Sequence, residues 1–191
     1  MSGNSSFVYW DSGVFISWLS GEDTPENLDG IKYFQEQHAL GGIVVVTSTI
    51  TRIEVRSSYL PEKARQTFVA FLNRQGDVSL VSAHRKIADL AHDLVEWYAE
   101  RDRQDRLGKL SVPDAIHLAT AIRSDCGLFL TFDGQRGDRK KKDRRLLTLT
   151  QPIAGQYNLP IEAPVRPPPG PDTGPRQLVL SDLLPGDPTK R

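Results

Sequence analysis

The stretch "LSVPDAIHLATAIRSDCGLFLTFDG", residues 110–134, begins with helical period, turns into a short apolar strand and carries an aspartate near each end. Pro113 suits the first turn of a helix, so Asp114 falls at the positive end of a helix predicted to run to about Ser124, where Gly127 stops it. Such a helix of about 12 residues rises about 18 Å. The return strand "LFLTF" (128–132) spans roughly 16 Å. The chain therefore comes back level with its start, and Asp133 is expected beside Asp114.

Working outward, the same alternation of short apolar runs and longer helical segments recurs. "FVYWD" (7–11) reads as a strand running into a helix, "SGVFISWLS". "PENLDGIKYFQEQHAL" (25–40) reads as a helix with Pro25 near its start, followed by the strand "IVVV" (43–46). Two consecutive helices are predicted over 48–58 and 61–76, then the strand "VSLV" (78–81) and a helix over 83–104 with Ile87, Leu90, Ala91 and Leu94 on one face. This is the pattern of an α/β domain with a parallel sheet and crossover helices.

In a parallel sheet every strand ends at the same edge, so Asp11, closing the first strand, joins Asp114 and Asp133 there. Glu54 lies on the helix after "IVVV" and can reach the same place. Open α/β sheets bind ligands at this edge. Carboxylates a few ångströms apart repel unless a cation neutralises them, and oxygen-only ligands point to Mg²⁺ or Mn²⁺. Each acid also has a structural reading. "SVPD" and "TRIE" match a helix capping box, Asp11 can be a plain N-cap, and Asp133 with Gly134 a plain turn. Those readings predict no shared location for the four.

Lys plus Arg equals Asp plus Glu at 24 each, so overall charge favours neither nucleic acid nor membrane. The charge is uneven, however: "RGDRKKKDRR" (136–145) holds seven basic residues against two acids. The single cysteine, Cys126, excludes an intramolecular disulfide and fits a reducing compartment. With no signal-peptide pattern in "MSGNSS" and no apolar run of membrane-spanning length, a cytoplasmic protein without membrane contact is expected. Nine of the 13 prolines lie between Pro160 and Arg191, so residues 1–165 are expected to form the domain and 166–191 a proline-rich, flexible tail.

The pieces "YWDSGVFISWL", "TSTITRIEV", "VPDAIHLATAI" and "LTFDG" together resemble the acidic motifs of PIN domains, small Mg²⁺- or Mn²⁺-dependent ribonucleases that include the VapC-type toxins of toxin–antitoxin pairs. The resemblance covers roughly residues 7–165. It implies a three-layer α/β/α fold around the parallel sheet, with Asp11, Glu54, Asp114 and Asp133 as the catalytic and metal-binding acids. Ser12 and Thr131 become supporting hydroxyls. It further implies RNA cleavage to 5′-phosphate and 3′-hydroxyl products, a cognate antitoxin and a homodimer. The long basic insert and the tail depart from the compact toxin form. A non-catalytic PIN-like binding module and a metal-dependent DNase or phosphatase are the alternatives.

Arg136, Arg139, Lys140, Lys141, Lys142, Arg144 and Arg145 begin within a few residues of Asp133 and are expected to hold RNA phosphates, unless the run is simply a solvated loop. His117, one turn after Asp114, is read as a helix-face histidine, because metal-bound water needs no imidazole base. His84 and His92 are placed on the long helix as surface or packing residues, Cys126 as a small buried side chain, and Trp10, Trp18 and Trp97 as packing residues.

Overall fold

Tyr9 faces one side of its strand while Val8 and Trp10 face the other, and all three are buried because both faces of that strand are covered. In the computed structural model, which describes residues 6–55, 60–73, 78–106, 108–135 and 144–168, this strand, β1 (Ser6–Trp10), is the middle of a five-stranded sheet. The elements that follow are α1 (Ser12–Ser20), α2 (Pro25–Ala39), β2 (Ile43–Ser48), α3 (Thr51–Glu54), α4 (Glu62–Asn73) and β3 (Val78–Val81). Then come α5 (Arg85–Asp105), α6 (Val112–Arg123), β4 (Leu128–Leu130) and β5 (Ile161–Glu162).

The strand order is β3-β2-β1-β4-β5, and every pairing is parallel. From β1 the chain builds outward through β2 and β3, then returns to the opposite side of β1 as β4. The gap between β1 and β4 is thus a topological switch point, where the carboxyl ends of open α/β sheets form a crevice. Tyr9 sits in register with Val46 on one neighbour and Phe129 on the other. Helices α5 and α6 cover the face carrying Tyr9, Val46 and Phe129. On the other face Phe15, Ile31, Phe34, Phe68 and Leu72 from α1, α2 and α4 pack against Val8, Trp10, Val45, Leu128 and Leu130. These are the three layers expected from the motifs.

Pro25 and Pro113 both occupy the first turns of their helices, with Thr24 and Ser111 as side-chain caps. The predicted helix over 48–58 shrinks to the single turn of α3. β2 continues through Thr47 and Ser48, whose buried polar side chains hide the strand from an apolar pattern, and Thr47 Oγ1 donates to the Trp10 carbonyl at 2.9 Å. Residues 56–58 and 74–76 of the predicted helices lie outside the described residues. β4 stops at Leu130 rather than residue 132, because Thr131 and Asp133 begin a turn in which the Asp133 amide donates to Thr131 Oγ1 at 3.0 Å. β5 was not expected; its two residues pair with β4.

Beyond β5 the chain crosses α2. The carbonyl oxygen of Pro164 comes so close to Gly30 that a Cβ there would lie 2.0 Å from it. Arg166 then donates to Asp29 Oδ2 at 2.9 Å and Glu36 Oε2 at 3.1 Å, with its guanidinium 5.5 Å from the Tyr33 ring centroid. Residue 166, the first of the expected tail, is therefore anchored on the domain; 169–191 lie outside the described residues. Among the described residues no helix is long and apolar enough to cross a membrane.

Candidate active site

Asp11 leaves β1 and caps α1. Its Oδ1 accepts from the Ser12 amide at 2.7 Å and its Oδ2 from Thr131 Oγ1 at 2.8 Å, so both oxygens are held in place. Burial raises its pKa, opposed by His117, Thr131 and the Ser12 amide, and Glu54 adds to the rise. Asp114 sits in the first turn of α6. Ser111 caps that helix by accepting from the Asp114 amide and also donates to Asp114 Oδ2 at 2.5 Å. The capping reading of "SVPD" and the acidic-site reading thus hold together. Burial, reinforced by the charges of Asp11 and Asp133 and opposed by Ser111 and His117, pushes the Asp114 carboxyl up to about 7.

Glu54 does not cap its helix: the N-cap of α3 is Ile50, which makes no side-chain capping bond. Its Oε2 instead accepts from Ser12 Oγ and meets His117 Nε2 at 2.6 Å. His117 is not a bystander on the helix face. It is 1% exposed, points into the acids and lies 3.6 Å from Asp11 Oδ1 and 3.3 Å from Ser12 Oγ. Its Nδ1 is 2.6 Å from the Tyr9 hydroxyl. Burial alone would lower its pKa, but the Glu54 hydrogen bond and the charges of Asp11, Glu54 and Asp114 together hold it above its ordinary value. The overlooked signal was the three-residue spacing from Asp114, which puts both side chains on one face of α6.

Asp133 lies close enough to raise the Asp114 pKa, yet part of it serves the backbone. Its Oδ2 accepts from the Leu146 amide at 2.8 Å, and its carbonyl from the Leu147 amide at 3.1 Å. The turn reading is realised as well, with Gly134 at φ +102°. On α2, Asn27 exchanges two amide hydrogen bonds of 2.9 Å with Gln135, just after that turn.

Of the basic run, Arg136, Arg139 and Lys140 to Lys142 lie outside the described residues. Arg144 faces inward: it is buried, forks onto Asp105 at 2.7 and 2.9 Å, donates to the Gly108 carbonyl at 3.0 Å and stacks 5.1 Å from the Tyr98 ring centroid. A guanidinium so engaged is structural, which separates it from the expected phosphate contacts. Arg145 is half-buried and also engaged. Of the other residues set aside, His84 is the N-cap of α5 and His92 is exposed on that helix. Cys126 is buried, its thiol pushed up to about 12. Trp10 and Trp18 pack with Phe15, and Trp97 packs against Tyr98.

Asp11, Glu54 and His117 each offer a donor atom within 4.8 Å of the others. Mg²⁺ or Mn²⁺, which favour oxygen donors, would be held there by the carboxylates of Asp11 and Glu54. The donor chemistry fits such an ion, since Asp11 and Asp114 are carboxylates whose charged forms burial disfavours and a cation would restore.

The molecule thus belongs to the class of parallel α/β proteins with an acid-lined carboxyl edge at the sheet's switch point. A family model for the PIN domain matches residues 8–141, and the chain belongs to the PIN domain family. Among solved structures it is similar to VapC20 of Mycobacterium tuberculosis, a sarcin-ricin loop cleaving toxin, at 19% identity and TM-score 0.50, over 66% of this chain and 90% of that one. It is also similar to VapBC2 of Rickettsia felis bound to a promoter DNA fragment, at 12% identity and TM-score 0.49, over 72% and 96% of the two chains. A further likeness is to FitAcB of Neisseria gonorrhoeae, at 17% identity and TM-score 0.46, over 66% and 87%. At these identities the likeness concerns the fold. No match is found among curated proteins.

Proposed function

We propose that the chain is a divalent-metal-dependent endoribonuclease, the toxin member of a toxin–antitoxin pair. The observation that carries this reading is the gathering of Asp11, Glu54 and Asp114, with Asp133 beside them, at the switch point of a PIN fold, where Asp11 and Asp114 are both held above the usual carboxylate range. Carboxylates built into such surroundings gain most from a cation. The same feature speaks against a mere binding module, which has no use for buried acids facing an anionic strand.

In this reading Asp11, Asp114 and Asp133 hold Mg²⁺ or Mn²⁺, and Glu54 supports it or a second ion. Such an ion lowers the pKa of its bound water and neutralises charge developing on a phosphodiester. The chain's own part is placement. Ser12 and Thr131 fix the plane of the Asp11 carboxylate, Ser111 fixes Asp114, and the Leu146 amide fixes one oxygen of Asp133. RNA, which an acidic edge alone would repel, is drawn in by Arg136, Arg139 and Lys140 to Lys142. RNA as substrate is supported by family membership and by what VapC20 cleaves. A cognate antitoxin and a homodimer are the partners this reading implies.

The test is cleavage of a fluorogenic single-stranded RNA in Mg²⁺ or Mn²⁺. Wild-type protein should yield 5′-phosphate ends, and both chelation and Asp114→Asn should reduce cleavage to background. A folded Asp114→Asn protein that cuts at the wild-type rate would remove the acids from the chemistry.

A further inference from the structure

We infer that Asn27 is a positioning residue for Asp133: through Gln135 it holds the turn after β4, and with it the Asp133 carboxylate, in place beside the other acids. The inference deepens the proposed function and rests on its reading of Asp133 as one of the site's acids.

Asp133 needs an outside hold more than its neighbours do. Asp11 follows the central strand and caps α1, and Asp114 rides on the 12-residue helix α6. Asp133 belongs to neither strand nor helix, since β4 stops at Leu130. It lies in a turn closed by the Gln135 amide donating to the Phe132 carbonyl at 3.0 Å, and Gly134 within that turn has no side chain to pack. Gln135, the last residue of the turn, is exposed. Water alone could satisfy such a side chain.

Gln135 instead folds back onto α2. Its Nε2 donates to Asn27 Oδ1 and its Oε1 accepts from Asn27 Nδ2, both at 2.9 Å. Asn27 is only 5% exposed, and its backbone amide donates to the Thr24 cap at 3.3 Å. Its Nδ2 also donates to Asp23 Oδ1 at 2.9 Å. Both Asp23 oxygens act as acceptors, Oδ1 also from the Thr24 amide and Oδ2 from Ser17 Oγ, so this contact sets which way the Asn27 amide faces. A buried amide with its polar atoms satisfied is a rigid anchor.

These bonds close a ring. Ser17 lies on α1, whose cap is Asp11, and from there the circuit runs through Asp23, Asn27 and Gln135 to the turn of Asp133. It returns to Asp11 because Thr131 Oγ1 accepts from the Asp133 amide and donates to Asp11 Oδ2. An open chain of bonds lets its far end swing. A closed one fixes its members against each other, here Asp11 and Asp133. The alternative is that the clasp only stitches α2 to the turn, with no bearing on the acid.

Mn²⁺ calorimetry on the full-length chain separates the two as a double-mutant cycle. Gln135→Ala, at an exposed position, and Asn27→Leu should each weaken binding by about fivefold, less than the loss of about tenfold that follows removal of a ligand's direct partner. The double variant should lose no more than either alone. In an Asp133→Asn background, where no charge is left to place, both changes should leave Mn²⁺ affinity as it is. Full affinity in the single variants, or the same loss with and without the Asp133 carboxylate, overturns the inference. Hydrogen exchange in metal-free protein supplies the second arm. The Leu146 amide, which donates to Asp133 Oδ2, should exchange about fivefold faster in Gln135→Ala while the amides of β1 and β2 keep their rates. An unchanged Leu146 rate also overturns the inference. A wild type that binds no Mn²⁺ would count against the metal reading, while the Leu146 amide would still judge the hold on Asp133.

Discussion

Replacing Asp114 by asparagine should stabilise the metal-free protein, although the change removes a proposed catalytic group. The Asp114 carboxyl rises from its ordinary 3.8 to about 7 in the folded chain, chiefly through burial. Below about pH 4 folded and unfolded chains both hold the proton, and the site costs nothing. Between about pH 4 and 7 the folded chain retains a proton that the unfolded chain has released, so stability falls as pH rises; above about 7 the full penalty applies. The gap from 3.8 to about 7, at about 1.36 kcal/mol per pH unit, amounts to roughly 4 kcal/mol. Asparagine carries no charge to desolvate, but it weakens the 2.5 Å bond from Ser111 by about 1 kcal/mol. The net gain at pH 8 is then about 3 kcal/mol, or about 6–12 °C in Tm for a chain of this size. Urea denaturation of both proteins in chelator at pH 4, 6 and 8 measures it. The advantage of the variant should grow with pH, and Mn²⁺ should stabilise the wild type more than the variant. Equal stability at pH 8, or a gap that does not close toward pH 4, would refute the reasoning, because ionised Asp114 would then carry no burial cost.

Arg144→Ala should destabilise the fold by about 3 kcal/mol in urea denaturation, at the low end for a broken buried ion pair because Asp105 is one-third exposed; a loss under about 1 kcal/mol would return Arg144 to the surface. Gly30→Ala should cost about 2 kcal/mol, since its Cβ would lie 2.0 Å from the Pro164 carbonyl oxygen and the segment crossing α2 would have to lift. Replacing Arg139, Lys140, Lys141 and Lys142 with glutamine should weaken single-stranded RNA binding and lower the slope of log K against log salt by roughly 3, leaving Mn²⁺ affinity unchanged. An unaltered slope would mean that the strand is held elsewhere.

The alternation of "IVVV" and "LFL" with Pro25- and Pro113-led helices made the parallel α/β order legible, because strands buried on both faces must be apolar throughout. The convergence of Asp11 and Asp114 was legible too, since parallel strands share an edge. β5 was not: two residues, Ile161 and Glu162, carry no period, and their pairing depends on β4 already being in place. His117 and Arg144 were misjudged for a related reason. Residue type and spacing show that a side chain is titratable or cationic, but its direction is set by partners far along the chain, Tyr9 for one and Asp105 for the other.

The turn after β4 has a further consequence. Asp133 grips Leu146 and Leu147, Gln135 is clasped by Asn27, and Arg144 is fastened to Asp105 and Gly108, so the chain is secured on both sides of residues 136–143. Closing a loop of twice the length adds only about 0.6 kcal/mol. With both ends so held, an interval lengthened by an engineer is expected to leave the acids beside it in their places.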